Sequence, residues 1–197
     1  MISDSNNISE QIIINKINDL LGNYGKTIDL NNYSNQRKGV DSDMLDLIKD
    51  MNSNVVDVVI IMGDANPAFD LPDSSDFASG LKKVGLSVSL STNPNETSVL
   101  CKYVAPANHF LESWGDAQPR KNFYYVMQPT IAPLFATRQA EVTLLKWAKS
   151  GVTDYDAYIQ NTWKGSLFSL QNEFSSFQSF WDNTLHNGLI ELNAEAG

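Results

Sequence analysis

Val55-Val56-Asp57-Val58-Val59-Ile60-Ile61-Met62-Gly63 is the stretch on which the fold turns. Side chains branched at Cβ dominate it, and they are stiff at χ1 and favour extended backbone. The run is nearly continuous in its apolarity and lacks the in–out alternation of a half-solvated strand. It therefore predicts a central parallel strand covered on both faces. Gly63 ends it.

Working outward, a helix is expected to begin near Asp41 or Ser42, with Met44, Leu45, Ile48 and Met51 on one face. Asn52-Ser53-Asn54 stops it. After the strand comes a loop, Gly63 to Pro72, rich in Gly, Asn, Asp and Pro. A short helix over roughly Ser75 to Lys82 leads to a second strand, Leu86 to Leu90, broken by Asn93-Pro94-Asn95. Glu96 to Leu100 reads as a short helix and Tyr103-Val104-Ala105 as a third strand, stopped by Pro106. Strands alternating with helices imply βαβ units. The predicted class is α/β: an open, mostly parallel Rossmann-like sheet flanked by helices.

Upstream, residues 8–21 read as a helix capped by Ser9, with Ile13, Ile17, Leu20 and Leu21 at helical spacing and Gly22-Asn23 as its stop. Thr27 to Leu30 is a short extended piece, and 31–40 is polar and loop-like. Downstream, Asn108 to Pro133 shows no period and reads as a long ordered excursion. Arg138 to Lys149 reads as an amphipathic helix, and Asp154 as the cap of another that runs through Tyr158 and Trp163. Composition shifts near Gly165, which suggests an α/β body over 8–165 and a C-terminal aromatic-rich helical tail over 166–197. In that tail Phe174, Phe177 and Trp181 fall at i, i+3 and i+7, beside Phe180. They either pack on the domain or form a docking surface for another subunit.

The chain of 197 residues is 42% hydrophobic and 19% charged, a globular balance. A net charge of -9 argues against a nucleic-acid-binding surface. Cys101 is the single cysteine, so no internal disulfide, zinc site or iron–sulfur cluster can be built from cysteines. Its neighbours Leu100 and Tyr103 suggest a buried structural thiol. Met1-Ile2-Ser3-Asp4 lacks the basic start of a signal peptide, and Ile12-Ile13-Ile14 is too short to span a membrane, so the chain as given reads as soluble.

Chemistry-bearing residues gather in two places. Gly63-Asp64-Ala65-Asn66-Pro67 lies at the carboxyl end of the best strand, where open α/β sheets bind ligands. It forms either the wall of a nucleotide or pterin pocket or an ordinary strand-to-helix connection. His109 to Asp116 holds a histidine, two carboxylates and a tryptophan, with His109 and Glu112 at i and i+3, spaced to meet on one turn. They are either a general acid/base pair brought together in a dry cleft or ordinary loop charges, solvated or paired with nearby cations, here Arg120 or Lys121. His109 and His186 are too far apart in sequence to suggest a metal site. GxGxxG, Walker and nucleophile-elbow patterns are absent.

Several of these stretches resemble the molybdopterin oxidoreductases. Ile17-Asn18-Asp19-Leu20-Leu21-Gly22-Asn23-Tyr24-Gly25-Lys26-Thr27 is similar to that family's IN-LLGN-GKT stretch. Val58 to Pro72 resembles its GxNPxxxxP strand and loop, and Asn95-Glu96-Thr97 with Tyr103-Val104-Ala105-Pro106 resembles the segment that follows. His109 to Asp116, with Gln128-Pro129-Thr130-Ile131-Ala132-Pro133-Leu134-Phe135, resembles one branch, the large iron–sulfur subunit of alternative complex III, a quinol:cytochrome c oxidoreductase. Tyr158 and Trp163 fit that branch's downstream Y-…-W pattern, and the likeness covers roughly residues 10–165.

The resemblance implies a non-catalytic structural module of a membrane-associated electron-transfer complex. Its partners would be a ferredoxin-like iron–sulfur region of the same parent, cytochrome c and quinol-oxidising membrane subunits, on the periplasmic side of the inner membrane. The match begins inside the family's domain, which implies an internal piece of a longer protein with a Tat-type targeting sequence upstream. Active members hold molybdenum through two pterin guanine dinucleotides. In the branch resembled here that region is expected to have lost the cofactor, and Gly115-Asp116-Ala117-Gln118-Pro119-Arg120 replaces the G-T-…-N-x-E-G-R stretch of active members. No cofactor is expected in this chain. The alternative is a chain that supplies part of a bis-molybdopterin guanine dinucleotide pocket of an active oxidoreductase, with Gly63, Asn66 and Pro67 lining the nucleotide end.

Overall fold

A computed structural model describes residues 1–36 and 38–192. The last five residues of the expected tail, 193–197, lie outside the described residues.

Helix α1 spans Ile8–Leu20. Its cap is Asn7 rather than Ser9: the Asn7 side-chain oxygen accepts from the backbone N–H groups of Ser9 at 3.0 Å and Glu10 at 3.2 Å. Asparagine is as good a cap as serine, and here it stands one residue before the first helical turn. Gly22 ends the segment at φ +62°, a left-handed conformation that glycine adopts without strain. The apolar face expected on this helix is turned outward, with Ile13, Leu20 and Leu21 exposed and Ile14 and Asn18 buried.

Helix α2, Asp41–Asn52, precedes strand β1, Val58–Ile61. Helices α3, Pro67–Asp70, and α4, Ser74–Leu81, lead to β2, Leu86–Ser89. A single 3₁₀ turn at Ser98–Leu100 precedes β3, Tyr103–Val104. The three strands are parallel in the order β1-β2-β3, with Ile60 beside Val88 and Ile61 beside Ser89. This is the open α/β arrangement expected. The helices α2 and α4 cover one face, burying Ile48, Met51, Ile61, Phe77, Leu81 and Val84 in one cluster. Their close approach needs Gly80: a Cβ there would lie 2.9 Å from Met51 Cβ.

One expectation needs correcting. Strand β1 is an edge strand, not the central one, and its second face is bare: Val58 is 49% and Ile60 41% exposed. Strand β2 holds the centre. Its second face is covered where Val88 and Leu90 pack on Ala105, Ala107 and Ala140, and this cover does not reach β1. The β-branched run is suited to burial on both sides, but the described residues place a layer on only one.

The excursion after Asn108 is a hairpin. Strands β4, Gly115–Arg120, and β5, Phe123–Met127, pair antiparallel around a turn in which Asn122 takes φ +69°. After helices α5, Ala140–Trp147, α6, Tyr155–Ser166, and α7, Phe177–Asn187, the chain returns as β6, Leu189–Glu191, beside β5. Asp154 caps α6 as expected, accepting from the Asp156 N–H at 3.2 Å. Helices α6 and α7 pack on this second sheet around Val126, Ile159, Trp163, Phe180, Trp181 and Ile190. Trp163 and Trp181 meet edge-on at 5.6 Å, and Phe174 and Phe177 ring Phe180 at 6.1 and 6.0 Å. Of the two readings of the aromatic tail, the structure takes the packed one for Phe180 and Trp181, which are 0% and 3% exposed.

Candidate functional site

A cleft of about 420 Å³ opens between the two sheets at the carboxyl ends of β1 and β2. That is where the topology of an open parallel sheet leaves room for a ligand. Gly63 and Asp64 line it from the loop after β1, Leu90 and Thr92 from the loop after β2, and His109, Trp114 and Asp116 from the approach to β4. Gln139 and Glu141 at the start of α5 and Tyr155 at the start of α6 close the far side. A second hollow, about 760 Å³, lies between α1 and the segment ending at Leu30. It is broader and mostly apolar, and it lies away from the sheet edges.

Gly63 turns the chain at φ +62°. Asp64 then reaches across to the loop after β2: Oδ1 accepts from the Thr92 N–H at 2.9 Å, and the Thr92 hydroxyl donates to the same carboxylate at 2.8 Å. These bonds, the hydroxyl's first, hold the Asp64 carboxyl below its usual range, because donors to a carboxylate favour its ionised form. The loops after β1 and β2 are thereby locked together at the cleft floor.

Asn66 and Pro67 are placed elsewhere. The Asn66 oxygen accepts from the Thr97 N–H at 3.0 Å and the Thr97 hydroxyl at 2.9 Å, and its amide donates to Glu96 Oε2 at 2.6 Å. Thr97 is fully buried. Its hydroxyl oxygen also accepts from the Ala68 N–H at 2.9 Å. Pro67 opens α3, where the missing N–H costs nothing. Of the three residues the resemblance assigns to a nucleotide pocket, Gly63 lines the cleft, whereas Asn66 and Pro67 form a latch behind it.

His109 and Glu112 do meet on one turn, as their spacing suggested, in a reciprocal cap. Glu112 Oε2 accepts from the His109 N–H at 2.9 Å, and His109 Nδ1 accepts from the Leu111 N–H at 3.3 Å. Glu112 Oε1 accepts from the Leu134 N–H at 2.9 Å, and this bond is the first cause of the lowered Glu112 pKa. The pair shapes the cleft rim, with its carboxylate already committed to backbone donors.

Tyr155, Gln139 and Glu141 were not singled out in the sequence. They come from two helix starts, 23 to 46 residues beyond His109 to Asp116, and have no motif of their own. Burial, then the charges of Asp116 and Glu141, push Tyr155 up to about 12. Gln139, only 8% exposed, donates from Nε2 to the Trp114 carbonyl at 2.7 Å and to Glu141 Oε2 at 3.0 Å. Among the described residues no group of three or more His, Cys, Asp or Glu is placed to hold a metal ion, and no helix is long and apolar enough to cross a membrane.

With this geometry, comparison with known proteins is informative at the level of fold. The chain is similar to acetylene hydratase from Pelobacter acetylenicus. The TM-score is 0.54 at 17% sequence identity, over 75% of this chain. It spans 20% of that enzyme's length. At this identity the likeness is one of fold alone. No protein-family model matches the chain, and no curated protein does.

Proposed function

We propose that the chain is a non-catalytic structural module, derived from a molybdopterin oxidoreductase, of a membrane-associated quinol:cytochrome c oxidoreductase of the alternative complex III type. The fold likeness supports the coarser part of this reading, acetylene hydratase being a member of the molybdopterin oxidoreductase family. The motifs from Ile17 to Phe135 support the finer part. The module would position a ferredoxin-like iron–sulfur region of its parent against cytochrome c and quinol-oxidising membrane subunits, on the periplasmic side.

The observation that carries the non-catalytic reading is the lining of the cleft. A pterin guanine dinucleotide brings a diphosphate, which proteins hold with Arg, Lys and free backbone N–H groups. Asp64, Asp116 and Glu141 are among the walls of the cleft, and no Lys or Arg is among them within the described residues. The Asn66 side chain, which the resemblance places at the nucleotide end, is bonded instead to Thr97 and Glu96. These residues do not fit the cofactor.

The test is elemental analysis for molybdenum and tungsten, with extraction of guanine nucleotide, on the protein purified from its host. The expected result is neither metal nor nucleotide. Near-stoichiometric amounts of both would overturn the reading and make the chain part of a working cofactor pocket.

A further inference from the structure

We propose that the open edge of β1 receives one further strand, parallel to it, from a segment of the parent polypeptide outside these 197 residues. The inference rests on the reading above only in giving the chain a longer parent.

The backbone of β1 shows which groups are free. The Leu86 N–H donates to the Asp57 carbonyl at 2.9 Å, and the Leu90 N–H to the Ile61 carbonyl at 2.8 Å. Successive residues of a strand turn their backbone groups to opposite edges. Asp57, Val59 and Ile61 therefore face β2, and Val58 and Ile60 face away from it. Among the described residues no strand lies on that side.

The side chains make a second observation. Val58 stands beside Leu86 and Ile60 beside Val88, with Tyr103 next in the row. Val58, Ile60, Leu86 and Tyr103 are all exposed. A run of β-branched residues suits a strand with neighbours on both edges and cover on both faces. A strand added beside Val58 and Ile60 makes β1 an interior strand, as its composition asks.

Helix α2 sets the direction of the added strand. Between β1 and β2 the chain passes through α4, which shares one face of the sheet with α2. Parallel crossovers are nearly always right-handed. Helix α2 stands before β1 as α4 stands before β2, so a right-handed connection through α2 starts from a parallel strand on the far side of β1. The segment just before α2 does not supply it. There the Asn35 N–H donates to the Pro119 carbonyl at 2.8 Å, and Ser34 bridges Arg120, both at the second sheet.

The size of the edge points to the source. Val58 and Ile60 offer too few hydrogen bonds to offset the entropy lost when two separate molecules join. A segment of the same polypeptide is already at high effective concentration. A second copy fits poorly, because each carries a net charge of -9 and two-fold symmetry would pair the edges antiparallel. The chain spans 20% of the enzyme it resembles in fold, and a parent of such length has residues to supply a strand.

Hydrogen–deuterium exchange at residue resolution reads the edge directly. It is measured on the parent in its complex, on the parent stripped of other subunits, and on the chain alone. The Val58 and Ile60 amides should exchange freely in the chain and roughly a hundredfold more slowly in both forms of the parent. The Val59 and Ile61 amides, turned toward β2, report that the sheet is folded. Fast exchange of Val58 and Ile60 in the parent, with Val59 and Ile61 protected, would overturn the inference. Protection that is lost with the other subunits, or that varies with protein concentration, would place the strand in a partner or a second copy and overturn the source. Fast edge exchange in a parent free of molybdenum and nucleotide would overturn this inference alone. Protected edge amides in a parent that holds both would overturn the scaffold reading alone. A host that yields only the free chain would overturn both.

Discussion

Trp163 donates its indole N–H to Asp116 Oδ2 at 2.8 Å, tying α6 to β4 across the base of the second sheet. The indole is 2% exposed and sits against Phe180 and Trp181. A buried donor that loses its acceptor costs about 1–3 kcal/mol. Asp116→Ala is therefore expected to lower the unfolding free energy in urea by that amount, with a shift in tryptophan emission.

Phe180 anchors the aromatic cluster with no exposed surface. Truncating such a side chain removes about 3–5 kcal/mol. Phe180→Ala should abolish or sharply lower the cooperative unfolding transition, whereas truncation of the exposed Phe69, 70% accessible, should change it little. Equal effects would mean that α7 does not pack as described.

The latch at Asn66 predicts a structural phenotype, not a cofactor one. Asn66→Ala leaves the buried Thr97 hydroxyl and N–H without their acceptor. About 1–3 kcal/mol of stability should be lost, with faster amide exchange at Thr97 and Ala68. Release of bound nucleotide from the protein isolated from its host would contradict this.

Gly80 predicts strain between helices. Gly80→Ala drives a Cβ to 2.9 Å from Met51 Cβ, in a contact with no space to yield. Overpacking of this kind costs about 1–3 kcal/mol, against the small gain alanine brings to an exposed helix. Thermal unfolding of the variant should begin at lower temperature.

Tyr155 predicts a pH dependence. Its folded pKa, raised to about 12 by burial and by Asp116 and Glu141, lies above the unfolded value near 10. The folded state thus binds more protons in this window, and the stability tied to the group is full below pH ~10 and lost as pH rises toward ~12. Ultraviolet titration should show one late tyrosine ionisation that Tyr155→Phe removes. In that variant the fall in stability over this window should be shallower.

The parallel half of the fold was legible because its signals are local. The run at Val55–Met62, the break at Asn93-Pro94-Asn95 and the stop at Pro106 each act within a few residues. The second sheet was not legible. Strand β4 contains Gly115 and Pro119, which argue against a strand, and β6 is three residues paired across more than sixty. Its existence is decided by packing under Trp163 and Trp181, not by propensity. The site divides the same way. His109 and Glu112 were readable at i and i+3, whereas Gln139, Glu141 and Tyr155 reach the cleft only because α5 and α6 start there. The coverage of β1 was misjudged because composition reports what a strand tolerates, not which neighbours it has.

The bare flank of β1 bears on how copies of the chain meet one another. An uncovered edge of Val58 to Ile61 is a template on which a second backbone can zip. Asp57 stands at the head of that edge, whereas Asp64, past the turn at Gly63, is drawn away from it to Thr92. A charge at the head of an exposed edge opposes its pairing with a second copy, so neutralising Asp57 should make that edge more adhesive.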